Sequence, residues 1–180
     1  KAYRIPEASR TAKGSNIVNI LDVEKDEKVT AIRPVTEFNE GEYLTMITRF
    51  GVIKRTRLTD FSYQRKGGKI AITLDEGDEL LFVRHTAGGE NLLIATKDGN
   101  AVRFTEENVR VMGRGARGVR GITLSDGDEV VGVAVVDDTK MLLTITEKGL
   151  GKRTPFSEFR EMKNRGGHGI ICHHITERSG

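Results

Sequence analysis

A period of about 50 residues runs through the whole chain, and it limits the possible folds more than any composition figure does. Three landmarks carry it. A turn glycine followed by basic residues occurs as Gly51-Val-Ile-Lys54-Arg55, Gly99-Asn-Ala-Val-Arg103 and Gly149-Leu-Gly-Lys152-Arg153. A glycine/basic cluster occurs as Arg10-Thr-Ala-Lys13-Gly14, Arg65-Lys66-Gly-Gly-Lys69, Arg114-Gly-Ala-Arg117-Gly118 and Arg165-Gly-Gly-His168-Gly169. An apolar run that ends in a polar turn recurs around Leu21, Leu74, Leu124 and Ile175, at spacings of 53, 50 and 51 residues. Units of this size cannot bury an apolar face alone and are stable only when stacked on one another. The expected division is the tail of a preceding unit at 1–28, then units at 29–78, 79–128 and 129–180.

Each unit reads as strands. Tyr43–Thr48, Leu92–Thr96 and Met141–Thr146 are short runs of apolar, β-branched and Thr residues that end at Gly51, Asp98-Gly99 and Lys148-Gly149, as hairpins do. A second strand follows each turn, then an irregular basic loop. Further strands are predicted at 70–74, 80–83, 119–124 and 130–135, with Glu76-Gly-Asp78 and Asp126-Gly-Asp128 as turns. One or two helical turns are expected near 56–61, 105–110 and 155–160, and no long stretch has a 3.6-residue period. The fold class is therefore all-β, with propeller-like blades of about four antiparallel strands.

Composition closes off other classes. Hydrophobic residues make up 37% of the 180, too many and too regularly spaced for a disordered chain. No apolar run approaches the ~18 residues of a membrane span, and none at the N-terminus looks like a signal peptide. A lone Cys172 cannot form an internal disulfide, so a reducing compartment, the cytoplasm, is expected. The chain starts at Lys1 and not Met, so a piece of a longer protein is expected.

The net charge of +3 hides a segregation. The loops at 10–14, 65–69, 110–120 and 160–168 hold 12 basic residues and one acid, Glu161, a net +11 over 30 residues, while the other 150 carry −8. Stacked or ringed units would bring these loops into one positive band and leave the acidic turns elsewhere. Such a band suits a polyanion. Glycine lets backbone N–H groups approach a phosphate, and Arg grips one through two bonds. Only Tyr63 flanks the loops closely, which disfavours stacking on single-stranded bases and favours backbone contact with duplex DNA. The main expected contacts are Arg65, Lys66, Lys69, Arg114, Arg117, Arg120, Lys163 and Arg165, extended by Arg10 and Lys13. Lys54, Arg55, Arg103, Lys152 and Arg153 are secondary candidates, because cations on strands can equally pair with local acids.

Other motifs are lookalikes. Gly113-Arg-Gly115-Ala-Arg-Gly118 fits G-x-G-x-x-G, but a dinucleotide site needs it between a strand and a helix, and here a strand follows. No Walker A motif occurs. His168, Cys172 and His174 would share one face of a strand with His173 on the other, a set too small for a zinc site without a fourth ligand. No metal is expected. The acidic clusters at 75–79 and 126–129 recur as turns, and hairpin chemistry explains them better than calcium or acid–base work. No catalytic residue is assigned.

Tyr3-Arg-Ile-Pro-Glu-Ala-Ser-Arg-Thr-Ala-Lys-Gly14, Val109-Arg-Val-Met-Gly-Arg-Gly-Ala-Arg-Gly-Val-Arg-Gly-Ile122 and Gly149-Leu-Gly-Lys-Arg-Thr154 closely resemble the C-terminal domain of bacterial DNA gyrase A. The resemblance covers essentially the whole chain. It implies a six-bladed β-pinwheel whose neighbouring blades exchange strands, of which this chain is about three and a half blades, from the end of blade 2 to about blade 5. It further implies a rim that wraps duplex DNA, so that a holoenzyme of two gyrase A and two gyrase B chains adds negative supercoils using ATP and Mg. Gln64-Arg-Lys-Gly-Gly-Lys-Ile70 reads like the family's Q-R-R-G-G-K-G box, with Lys66 for its second Arg and Ile70 for its last Gly. By position in the repeat it is a third-blade loop and so an echo of the box from repeat ancestry; the alternative is that it is the box itself and the blade register shifts by two. The family's catalytic tyrosine, metal and ATP sites match nothing in this chain. The matching domain of topoisomerase IV is the alternative within the resemblance. A protein-binding propeller of the WD40 type is the alternative outside it, and the absence of Trp speaks against that type.

Overall fold

The computed structural model describes residues 2–3, 5–16, 19–21, 29–63 and 68–180. Among the described residues, ten strands appear in chain order: β1 (Tyr43–Thr48), β2 (Val52–Arg57), β3 (Leu80–Thr86), β4 (Asn91–Thr96), β5 (Asn100–Thr105), β6 (Val119–Arg120), β7 (Val130–Val135), β8 (Met141–Ile145), β9 (Gly151–Pro155) and β10 (Ile170–Ile171). Single 3-10 turns follow β2, β5 and β9, at Leu58–Phe61, Glu106–Asn108 and Phe156–Glu158. All strand pairs are antiparallel. The all-β, blade-like class expected from the period is the class observed.

The hairpins repeat in chemistry as well as spacing. At each turn the glycine N–H donates to a Thr carbonyl three residues back: Gly51 to Thr48 at 3.1 Å, Gly99 to Thr96 at 3.1 Å, Gly149 to Thr146 at 2.9 Å. The same Thr hydroxyls accept from Val52, Asn100 and Leu150. The three glycines have φ of 80°, 83° and 82°, a conformation that side chains resist.

The first sheet has the order β3-β1-β2-β6 and the second β10-β5-β4-β7, while β8 and β9 form a hairpin. The sheets do not follow the cuts at 78/79 and 128/129. β3 and β7, which open the next unit by sequence, pair back onto β1 and β4. β6 and β10 come from the following unit and pair with β2 and β5. Each four-stranded sheet is thus completed by its successor.

This exchange shortens two predicted strands. Only Val119 and Arg120 of 119–124 pair with β2, because β2 begins at Val52 and there is no ladder beyond its turn. The next two amides, of Gly121 and Ile122, both fold over the turn to the Gly51 carbonyl. The expectation of a strand at 70–74 is corrected. Lys69 bridges to Ala2, and the chain then leaves to bond the loop at 115–116 instead.

Both faces of the central strands are covered, so they read as unbroken apolar runs. Alternation still assigns the faces: Leu92 and Ile94 pack toward Ile47 and Ile53 of the first sheet, while Leu93 packs toward Phe156, Phe159 and Leu142. Phe104 and Val102 are fully buried in the former cluster. The far face of the first sheet is filled by Leu44, Met46, Leu58 and Phe61.

Candidate nucleic-acid interface

The basic loops at 110–120 and 160–168 are excursions pinned at both ends to one strand of the preceding sheet. Val111 bridges Arg55, and the Met112 N–H donates to the Arg55 carbonyl at 2.8 Å. The chain returns at Val119, which pairs with Ile53. The next loop copies this on β5: Glu161 bridges Arg103, Met162 donates to the Arg103 carbonyl at 2.7 Å, and Ile170 pairs with Ala101. Loop ends held two residues apart on a strand force the chain between them to project, as in an Ω-loop. Gly118 and Gly169 make the return possible. Their φ values are 111° and 79°, and a Cβ on Gly118 would lie 2.6 Å from the Ile53 carbonyl oxygen.

Consecutive loops are joined to each other. Thr73 Oγ1 donates to the Gly115 carbonyl at 2.9 Å, and Thr123 Oγ1 to the Gly166 carbonyl at 2.6 Å. The Thr73 and Thr123 amides donate to the Ala116 and Gly167 carbonyls, and the Gly166 amide to the Gly121 carbonyl. The segment 69–73, the loop at 110–120 and the loop at 160–168 are therefore joined in series.

The cations divide into two groups by what holds them. Arg110, Arg120, Arg160 and Lys163 are exposed and Arg114 is half-buried, and none of the five pairs with a carboxylate among the described residues. Arg10 and Lys13 stand on an exposed segment. Arg117 is exposed but ion-paired with Asp75, so the acidic turn at 75–78 meets the band and does not lie wholly apart from it. Half-buried Arg165 spends its donors inside, Nε on the Asn108 carbonyl at 3.1 Å and a terminal nitrogen on the Arg120 carbonyl at 2.6 Å. These two bonds join it to the preceding loop. Lys69 Nζ donates to the Asp60 carbonyl at 3.3 Å and lies 5.5 Å from the exposed Tyr63 ring. Arg65 and Lys66, with the 64–67 part of the box-like stretch, lie outside the described residues.

Three secondary candidates are interior. Lys54 is fully buried, with Nζ donating to the carbonyls of Ala71 (2.6 Å) and Arg114. Burial first, and the nearby Arg114 guanidinium second, push its pKa down to about 8, with Asp60 opposing. Arg55 is buried over the Tyr43 ring at 4.6 Å. Arg103 is buried and held by Asp138. Alternation sends Lys54 to the far face of β2, under the 71 and 114 segments, and Arg55 to the opposite face, over Tyr43; all three side chains are enclosed, so they are corrected from contacts to struts. Lys152 and Arg153 are exposed.

Arg110 and Arg160 were not singled out by sequence. They sit one period apart, each directly after a buried residue, Val109 or Phe159, and that register was the available signal.

The metal lookalike comes apart in the structure. Cys172 is buried, its thiol pushed up by burial; His173 Nδ1 bonds Thr144 Oγ1 at 2.8 Å; and His168 and His174 are exposed. Among the described residues, no group of three His, Cys, Asp or Glu side chains is placed to hold a metal. The turn acids are structural. Asp78 accepts from the Phe50 and Glu79 amides, and Asp128, one period later, from those of Asp98 and Glu129. No helix among the described residues is long and apolar enough to cross a membrane.

The family described as "DNA gyrase C-terminal domain, beta-propeller" matches residues 1–36, 42–87, 90–137 and 140–172. The last three stretches open at β1, β4 and β8, and the second and third close after β3 and β7. DNA gyrase A of Escherichia coli strain K12 is 46% identical over 180 residues, all of this chain and 20% of that protein. The chain thus spans about a fifth of the length of such relatives. Among solved structures, the C-terminal domain of DNA topoisomerase IV superposes with a TM-score of 0.81 at 29% identity, covering 88% of this chain and 49% of that one. The DNA gyrase A C-terminal domain superposes with a TM-score of 0.80, also at 29% identity, covering 94% and 56%.

Proposed function

The chain belongs to the DNA gyrase C-terminal domain family, and on that premise we propose that it is a non-catalytic module that binds duplex DNA along its basic band and wraps it. The observation that carries this reading is the backbone-to-backbone joining of loops that present Arg110, Arg114, Arg120, Arg160 and Lys163 without carboxylate partners among the described residues. Such cations neutralise phosphates and release counterions, which gives affinity without base readout. A short duplex resists smooth bending by about 1–6 kcal/mol, and successive phosphate contacts along a curved band offset that cost.

In the whole protein, the module would serve the gyrase A chain of a type II topoisomerase that adds negative supercoils. ATP, Mg, the gyrase B chains and the second gyrase A chain would lie elsewhere in that assembly, in the cytoplasm. None of them is assigned to a residue of this chain. The 46% identity to DNA gyrase A favours this reading over topoisomerase IV, whose domain shares the fold equally well. The test uses the full-length protein with its ATPase partner, ATP and a relaxed circle. Negative supercoiling supports the gyrase reading, relaxation alone supports topoisomerase IV, and no effect of deleting this module on DNA topology rejects both.

A further inference from the structure

The repeat places a threonine at the same point of two successive units, and both make the same bond. Thr73 follows the first basic loop and Thr123 the second. Each hydroxyl reaches forward to a glycine carbonyl in the next loop, Gly115 or Gly166, and each amide bonds the residue one further on, Ala116 or Gly167. At Gly115 nothing lies within 4 Å of where a Cβ would be, so the bond uses the backbone carbonyl and does not depend on glycine there. Each loop is pinned to a different strand, β2 or β5, so bonds made directly between loops add to sheet packing in setting the distance from one loop to the next. Lys54 reinforces the first seam from beneath, holding one carbonyl on each side of it, those of Ala71 and Arg114. Arg165 reinforces the second through the carbonyls of Arg120 and Asn108.

We propose that Thr73 and Thr123 are positioning residues that lock each basic loop onto the next, so that the rim is one rigid track with a set spacing between its phosphate contacts. This rests on the DNA-wrapping reading above. A duplex short enough to meet one loop does not sense the spacing. A duplex that must follow several loops does, since its phosphates recur at fixed intervals and each misplaced contact is lost from the bend.

The test compares the full-length protein with its Thr73→Val/Thr123→Val variant, which keeps side-chain shape and both amide bonds. Two quantities are read: affinity for a duplex of about one helical turn, and the linking-number change left after ligase seals a relaxed circle bound by the protein. The expected result is a linking-number change reduced at least about twofold, with short-duplex affinity kept within about twofold. Thr73→Ser/Thr123→Ser, which keeps the donor, should restore the wild-type value, and it decides the matter if the valine variant does not fold. An unchanged linking number in the valine variant would overturn the proposal. So would a parallel loss of short-duplex affinity, or failure of the serine variant to wrap. If the wild-type protein neither binds duplex nor changes linking number, the DNA-wrapping reading fails first and this proposal falls with it.

Discussion

Arg103 grips Asp138 through two parallel bonds, one terminal nitrogen to Oδ1 at 2.8 Å and the other to Oδ2 at 2.9 Å, while the first also reaches the Phe156 and Phe159 carbonyls. The guanidinium side chain is 9% exposed and the carboxylate side chain 55%. The bond to Arg103 holds the Asp138 carboxyl below its usual range. A cation that looks by sequence like part of a DNA-binding face is instead a clamp between β5 and the 3-10 turn after β9.

Arg103→Ala should therefore destabilise the fold by about 2–3 kcal/mol, since it strips two buried carbonyls of a charged donor. Asp138→Asn should cost clearly less, because the carboxylate faces water. Urea unfolding of the two variants checks the order. Duplex affinity per folded molecule should be unchanged in both, and a loss in Arg103→Ala would return this residue to the interface.

Arg114→Ala/Arg120→Ala/Lys163→Ala should weaken binding to all duplex sequences alike. It should flatten the slope of log affinity against log salt by about 0.9 for each phosphate contact removed. Arg165→Ala should lower stability and leave that slope nearly unchanged, because its donors are used on Asn108 and Arg120. Salt titrations of binding separate the two groups.

The glycines of 113–118 should split by position. Gly118→Ala meets both a φ of 111° and the Ile53 carbonyl 2.6 Å away, and should cost about 2–4 kcal/mol of stability. Gly113→Ala and Gly115→Ala meet open space and should be neutral in stability. Thermal unfolding reads the difference. If either open glycine lets DNA backbone approach closely, its alanine variant should weaken binding with stability intact.

Lys54 sets a pH dependence with a definite sign. Its folded pKa, about 8, lies below its ordinary 10.5, so folding favours the neutral amine. Its contribution to stability is fully present above 10.5, declines as pH falls toward 8 and is lost below that. The stability difference between wild type and Lys54→Met should shift in favour of wild type from pH 7 to pH 10.5. Urea unfolding at pH 7, 9 and 10.5 measures it, and a flat difference would remove the titrating role.

The period, the hairpins and the segregated charge were legible in the sequence because each is local. Thr48-x-x-Gly51 and its copies at Thr96 and Thr146 close a turn through bonds three or four residues apart, and no distant partner is required. Which strand completes which sheet was decided in three dimensions. β6 pairs with β2 across more than 60 residues, and 70–74 is extended without a ladder because its donors found the next loop instead. Exposure of the cations was settled the same way. Lys54, Arg55 and Arg103 stand in basic strands, and only tertiary packing encloses them, where carbonyls, a tyrosine ring and a carboxylate receive them. Sequence fixes where charge recurs along the chain. Which charges face outward depends on contacts 40 to 60 residues apart, and no local pattern encodes those.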